Sequence, residues 1–208
     1  MRLPNLREEK RLWKSGLLHI AGVDEVGRGA WAGPIVAAAV IFPPKVRLPK
    51  LLNDSKKLNP KVRQALSEEI RSLAIDYNLA LLENTWINEH GLGKANDEVL
   101  RLAILGLKTV DFALIDYFEL KGLLKGRQRG IKNGDEIVAS ISAASILAKV
   151  YRDKIMINYA EKYGEYGWTT NKGYGTKKHQ ETIRRLGATP IHRIDFISKY
   201  LPFLPCPC

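Results

Sequence analysis

Cysteine is nearly missing from this 208-residue chain: Cys206 and Cys208 are the only two, and Pro207 alone separates them. A strain-free disulfide across one proline is hard to make, so no disulfide framework is expected. Histidine is also sparse, with four copies and no Cys or His pair at zinc-finger spacing, which argues against a thiolate zinc module. No apolar run approaches the eighteen or so residues of a membrane span, and residues 1–14 are charged, without the apolar centre of a signal peptide. Free thiols and the lack of such segments fit a cytoplasmic protein. Repeats and low-complexity linkers are lacking too, so one domain over residues 1–208 is expected, with no partition at a membrane. Acids are scarce beside bases, 22 against 33, giving a formal charge of +11 and a pI near 9.6. That balance favours a polyanionic partner.

The basic residues cluster. Lys45 to Arg63 holds seven Lys or Arg and one acid, Asp54, and Lys121 to Lys132 holds five with no acid. Both stretches read as loops.

Hydrophobic periodicity gives the frame. After a short charged helix, Leu17 to Asp24 and Pro34 to Phe42 read as an antiparallel strand pair, joined through the turn region Gly27 to Gly33. Pro60 starts an amphipathic helix to about Leu73, Asp76 to Glu83 alternates as a third strand, and Thr85 to Lys108 is helical with breaks at Gly91 and Gly93. Phe112 to Asp116 is an apolar strand flanked by helices, so a parallel pairing reached by a crossover is favoured. Glu136 to Ala139 reads as a last short strand, and Ser140 to Lys162 as a long helix with small residues, Ser142-Ala143-Ala144-Ser145, for close packing. A Gly, Tyr and Trp loop from Gly164 to Gly175, a helix from about Lys178 to Leu186 and an apolar helical pattern from Pro190 to Leu201 complete the chain. The expectation is an α/β domain with a mixed sheet, a core over about 17–162 and a C-terminal helical segment over about 163–201.

The acids that do occur sit at strand ends. Asp24 and Glu25 run straight into Gly27-Arg28-Gly29, Asp116 ends the apolar strand, and Asp135 follows Asn133-Gly134. If the first and fourth strands are parallel neighbours, Asp24 and Asp116 meet at the edge where α/β sheets hold ligands. An all-oxygen set of carboxylates selects Mg²⁺ or Mn²⁺ over zinc, and two such ions can drive phosphodiester hydrolysis without a protein nucleophile. Asp153, between Arg152 and Lys154 in the long helix, reads instead as an ion-paired surface residue. His179 reads as a helix-surface or phosphate-contact residue and His192 as structural, neither as a general base.

Four motifs carry a resemblance. Val23-Asp24-Glu25-Val26-Gly27-Arg28-Gly29, Asp54-Ser55-Lys56-Lys57-Leu58, Ile141 to Val150 and Asn171-Lys172-Gly173-Tyr174-Gly175-Thr176, in that order and over nearly the whole chain, resemble ribonuclease HII. The resemblance implies an RNase H-like fold with a mixed five-stranded sheet flanked by helices and a C-terminal segment that binds substrate. It implies an endoribonuclease acting on RNA/DNA hybrids and on single ribonucleotides in duplex DNA, leaving a 3'-OH and a 5'-phosphate; a monomer is expected. It assigns two Mn²⁺ or Mg²⁺ ions to Asp24, Glu25, Asp116 and Asp135. Gly27, Arg28 and Gly29 would read the ribose 2'-OH and Tyr174 would pack on the next deoxyribose, while Lys56, Lys57, Lys149, Lys177 and Arg193 would contact phosphates, assisted by Ser55 and Ser145. Asn133-Gly134-Asp135 departs from the family's usual Lys before the fourth acid. The competing expectation is a hybrid-binding module without catalysis.

Overall fold

The computed structural model describes residues 3–201, so Cys206 and Cys208 lie outside the described residues. Strands β1 (Ile20–Val26), β2 (Ile35–Ile41), β3 (Asp76–Leu82), β4 (Phe112–Asp116) and β5 (Gln128–Ile131) form one sheet in the order β3-β2-β1-β4-β5. β1 with β2 and β2 with β3 are antiparallel, whereas β1 with β4 and β4 with β5 are parallel. The mixed five-stranded sheet flanked by helices is therefore present. Helices α1 (Arg7–Lys14), α2 (Pro60–Leu73), α3 (Asn84–His90) and α4 (Leu92–Leu105) precede β4, and α3 with α4 supplies the crossover that a parallel β4 requires.

Every residue of β2 is buried, as expected of a strand covered on both faces. One face, with Val23, Ala37 and Ala39, packs on Val99, Leu100 and Ala103 of α4. The other, with Val36, Ala38 and Val40, packs on Leu66 and Ile70 of α2 and on the small-residue half of α6 (Ala139–Lys162). Gly22 of β1 is what lets α6 lie so close, because a Cβ there would stand 2.2 Å from the backbone carbon of Ser140. This approach carries Ser145 and Lys149 of α6 to the end of β1. α2 starts as its sequence dictates, with Pro60 in the first turn and the Asn59 side chain accepting the Val62 N–H at 2.9 Å.

The C-terminal segment builds a smaller core. Trp168 of α7 (Trp168–Asn171), Ile183 of α8 (Lys177–Leu186) and Ile197 of α9 (Ile194–Ile197) surround Ala32 and Met156. Among the described residues no helix is long and apolar enough to cross a membrane.

Three local expectations are corrected. Residues 136–139 are not a strand, since α5 (Gly134–Ile137) occupies that stretch; β5 lies earlier, inside the basic stretch read as a loop. Among the described residues β5 pairs on one side only, and it is half-buried throughout, so as an edge strand it tolerates Arg and Gly and shows no apolar alternation. Gly93 does not break a helix: it sits in the first turn of α4, and the break is Gly91 at φ 84°. The pattern from Pro190 to Leu201 yields only α9 and one 3₁₀ turn, Ser198–Tyr200.

Candidate active site

The parallel register pairs Val23 with Ile115, so β1 and β4 deliver Asp24 and Asp116 to the same sheet edge. β1 stays paired to β2 through Val26, and the backbone turns only at Gly27, φ 96°. Asp24 and Glu25 nevertheless line one cleft of about 610 Å³ with Asp116, and the Glu25 N–H donates to Asp24 Oδ1 at 2.8 Å. Asp116 Oδ1 accepts the Gly134 N–H at 2.7 Å, which ties the end of β4 to the turn bearing Asp135. Asp135 borders the cleft through Lys56, whose Nζ lies 3.1 Å from Asp135 Oδ2.

These acids are held against their own electrostatics. Burial first, then Glu25 and Asp116, push the Asp24 carboxyl well above the usual carboxylate range. Burial and Asp116 raise Glu25 to about 7, and burial with Asp135 raises Asp116. Glu25 Oε2 is buried without a hydrogen-bond partner among the described residues. Also among these, no three His, Cys, Asp or Glu side chains already converge closely enough to grip a metal ion. Among the described residues Lys56 is the one cation ion-paired to any of the four, through Asp135. The donor set is all oxygen, and its orphaned Oε2 and mutual repulsion fit a hard divalent cation.

Around the acids the cleft gathers Gly27, Arg28, Gly29, Ser55, Lys56, Ser145, Lys149 and Tyr174. Ser55 Oγ and Ser145 Oγ meet at 2.9 Å, both buried. Lys149 Nζ pairs with Asp153 Oδ1 at 2.7 Å and lies 5.8 Å from the centre of the Tyr174 ring. Asp153 is thus half-buried and paired to Lys149 and, at 3.7 Å, to Arg63, rather than to its chain neighbours on the surface. Arg63 lines the cleft as well, which its place in a basic loop and helix did not reveal.

Lys57 pairs with Glu136 at 3.1 Å and Asp54 at 3.8 Å. Lys177 is exposed at the first turn of α8. Two expectations fail here. Arg193 is fully buried and so is no phosphate contact: Nη1 donates to the Gly27 and Arg28 carbonyls at 2.7 and 3.0 Å, and Nε to Gly33 at 3.0 Å. His179 is not on a helix surface but fully buried, its Nδ1 bonded to the Tyr174 carbonyl at 2.9 Å. His192, read as structural, is buried beside it.

A residue that sequence reasoning missed matters as much. Arg152 is buried and donates to the carbonyls of Pro34, Lys172 and Ala32 at 2.9, 2.9 and 3.0 Å. Its guanidinium lies 5.4 Å from the centre of the Tyr174 ring, and a Cβ on Gly27 would stand 2.1 Å from its Nε. Arg152 and Arg193 together clamp the glycine loop to the Tyr174 loop. A signal was present, because Ala144, Ala148, Arg152 and Met156 recur at four-residue spacing along the buried face of α6.

The family model described as ribonuclease HII matches residues 21–199. A ribonuclease HII of Desulfitobacterium hafniense (strain Y51) is 50% identical over 192 residues, covering 92% of this chain and 73% of that protein. The ribonuclease H2 of Pyrococcus horikoshii OT3 is similar in structure with a TM-score of 0.70 at 26% identity, covering 88% of this chain and 97% of that one. A chain of the PCNA:RNase HII complex from Archaeoglobus fulgidus gives 0.71 at 27% identity, covering 86% and 94%. Binding without catalysis, the competing expectation, does not survive a match of this length. The chain belongs to the ribonuclease HII family and is a ribonuclease H, a hydrolase of nucleic acid.

Proposed function

We propose that this enzyme cuts RNA in RNA/DNA hybrids and cuts duplex DNA at single embedded ribonucleotides, leaving a 3'-OH and a 5'-phosphate. The junction of acids and glycine loop in one cleft carries the reading. Arg193 takes up the Gly27 and Arg28 carbonyls, while the N–H groups of Arg28 and Gly29 find no acceptor among the described residues. Free backbone donors suit a ribose 2'-OH, which marks RNA whatever the base. Tyr174 packs on the following deoxyribose, where an added hydroxyl would crowd the ring, and Lys149 beside it attracts the neighbouring phosphate.

Asp24, Glu25, Asp116 and Asp135 would hold two Mn²⁺ or Mg²⁺ ions, which supply Lewis acidity to phosphodiester hydrolysis. The chain's own contribution is to gather the carboxylates: β1 and β4 bring three to one edge, and the Gly134 N–H fixes the orientation of Asp116. Lys56 offsets part of their charge. Neither buried histidine has to move a proton. On this reading the protein is a cytoplasmic monomer of one domain, with residues 163–201 lying along the duplex.

The test is Mg²⁺-dependent nicking of duplex DNA holding one ribonucleotide, run beside an all-DNA duplex. Cleavage of the first alone is expected, and equal cleavage of both would sink the reading. Tyr174→Ala should impair cutting at single ribonucleotides more than cutting of hybrids; intact activity on both would remove the sugar-packing role.

A further inference from the structure

The residue after Asp116 breaks a backbone rule. Tyr117 has φ 62°, in the left-handed region that bulky side chains avoid. The Phe118 N–H donates to the Asp116 carbonyl at 2.7 Å, closing a three-residue turn centred on Tyr117. With a positive φ at its centre, this is the rare and strained form of the γ-turn.

The surrounding backbone enforces it. The Tyr117 N–H donates to Ile131 at 2.9 Å, and Gly130 of β5 packs so closely that a Cβ there would stand 2.7 Å from the Phe118 carbonyl oxygen and 2.8 Å from that of Tyr117. Glycine at 117 would adopt the same turn without strain. The chain instead has a tyrosine that is 63% exposed, so its ring adds little to the core. Strain of this kind persists where a site uses it.

The position of the turn indicates the use. Tyr117 meets the Phe118 ring edge-on with centroids 5.1 Å apart, and the Arg28 guanidinium lies 5.0 Å from the Phe118 ring centre. The turn is thus bracketed by Asp116 on one side and by Arg28 of the glycine loop on the other, both of which line the cleft.

We propose that Tyr117 is a substrate-contact residue whose ring packs on the sugar of a nucleotide flanking the cut phosphate. The proposal rests on the cleft being the nuclease site. Adjacent Cα atoms are about 3.8 Å apart, so Tyr117 stands at the rim of the cleft, next to Asp116 and outside the residues that line it, where a duplex running out of the cleft would pass. An apolar ring face on a sugar is indifferent to base identity, as a base-independent nuclease requires.

The experiment compares Tyr117→Gly and Tyr117→Phe with wild type in the full chain. It measures melting temperature, KM and kcat on the ribonucleotide duplex, and anisotropy of a labelled RNA/DNA hybrid in Ca²⁺. Tyr117→Gly is expected to melt no lower than wild type, while KM and the anisotropy Kd rise about tenfold, the scale of one lost aromatic contact to a nucleotide. kcat should stay within about twofold, and Tyr117→Phe should restore the wild-type KM. Unchanged KM in Tyr117→Gly overturns the proposal, and so does a lower melting temperature, which would make the ring a structural prop. Loss in Tyr117→Phe equal to that in Tyr117→Gly overturns it too, by placing the effect in the hydroxyl. If wild type binds hybrid but does not cut at a ribonucleotide, the proposed substrate is wrong while the binding arm still judges Tyr117.

Discussion

Two groups of like charges are wholly or partly buried in this protein, and the chain treats them in opposite ways. At the ends of β1 and β4 the acids Asp24, Glu25 and Asp116 repel one another, with Glu25 Oε2 left without a partner among the described residues. Beneath the glycine loop, Arg152 and Arg193 are also close enough to disfavour each other, and burial with Arg152 lowers Arg193 to about 9. Yet the two guanidiniums spend their donors on six carbonyls, those of Pro34, Lys172 and Ala32 for Arg152 and of Gly27, Arg28 and Gly33 for Arg193. Only Nη2 of Arg193, among their six nitrogens, lacks a partner among the described residues. Buried charge resolved inside the chain is scaffold, whereas buried charge left unresolved is a site waiting for a ligand.

The sharpest way to break this contrast is to neutralise one member of each group. Asp116→Asn should lower kcat/KM on the ribonucleotide duplex by about a thousandfold, the scale of a lost ligand to catalytic metal. The same change should leave the melting temperature unchanged or raise it in the absence of divalent ions, because it removes repulsion. Lower stability would mean that the acids hold the fold.

Arg193→Met should do the reverse. It strands the carbonyls of Gly27, Arg28 and Gly33, at a cost of about 4 kcal/mol in urea unfolding. The loop should loosen, and KM should rise before kcat falls. A stability loss below about 1 kcal/mol would show that water satisfies these carbonyls and that the clamp is dispensable.

This contrast also sorts what could be read from the residues alone. β2, α2 and the pairing of Asp24 with Asp116 were legible because each is a local pattern: an apolar run, a proline start, an acid at the end of a buried strand. β5 was not, because an edge strand of Gln, Arg, Gly and Ile shows no period and owes its form to β4. Arg193 and His179 were placed at the surface because sequence gives charge but not burial. The carbonyls that satisfy Arg193 lie as far as 166 residues away along the chain. Carboxylates could be found because their chemistry is unusual at a strand end, while basic residues abound and only contacts distant in sequence tell a clamp from a solvated face.

The buried histidines offer a third treatment of like groups, and the smallest test. His179 and His192 meet Nε2 to Nε2 at 3.1 Å, and burial favours both rings in the neutral form, in which one donor set satisfies their contacts. His179 Nδ1–H donates to Tyr174, leaving its Nε2 to accept from Trp168 Nε1 at 3.3 Å and from His192; His192 Nδ1 accepts the Thr189 N–H at 2.8 Å. A proton added at His192 Nδ1 would face the Thr189 N–H and would have only the Thr189 hydroxyl, 2.9 Å away, to accept it. Burial and the neighbouring His179 accordingly lower His192 to about 4. Because the unfolded ring, near 6.5, binds the proton more readily, the stabilisation is complete above about pH 6.5 and is lost as pH falls toward 4, on the order of 3 kcal/mol in all. The acid cluster slopes the other way in the absence of metal, since Glu25, raised to about 7, gains protons on folding as pH falls from there toward its ordinary 4.5. The two slopes would blur in a single melting curve. They separate in the stability difference between wild type and His192→Gln, where the acid contribution is common to both and cancels. That difference should favour wild type at pH 7 and shrink steadily to pH 4, and a difference independent of pH would show that the pair does not depend on staying neutral.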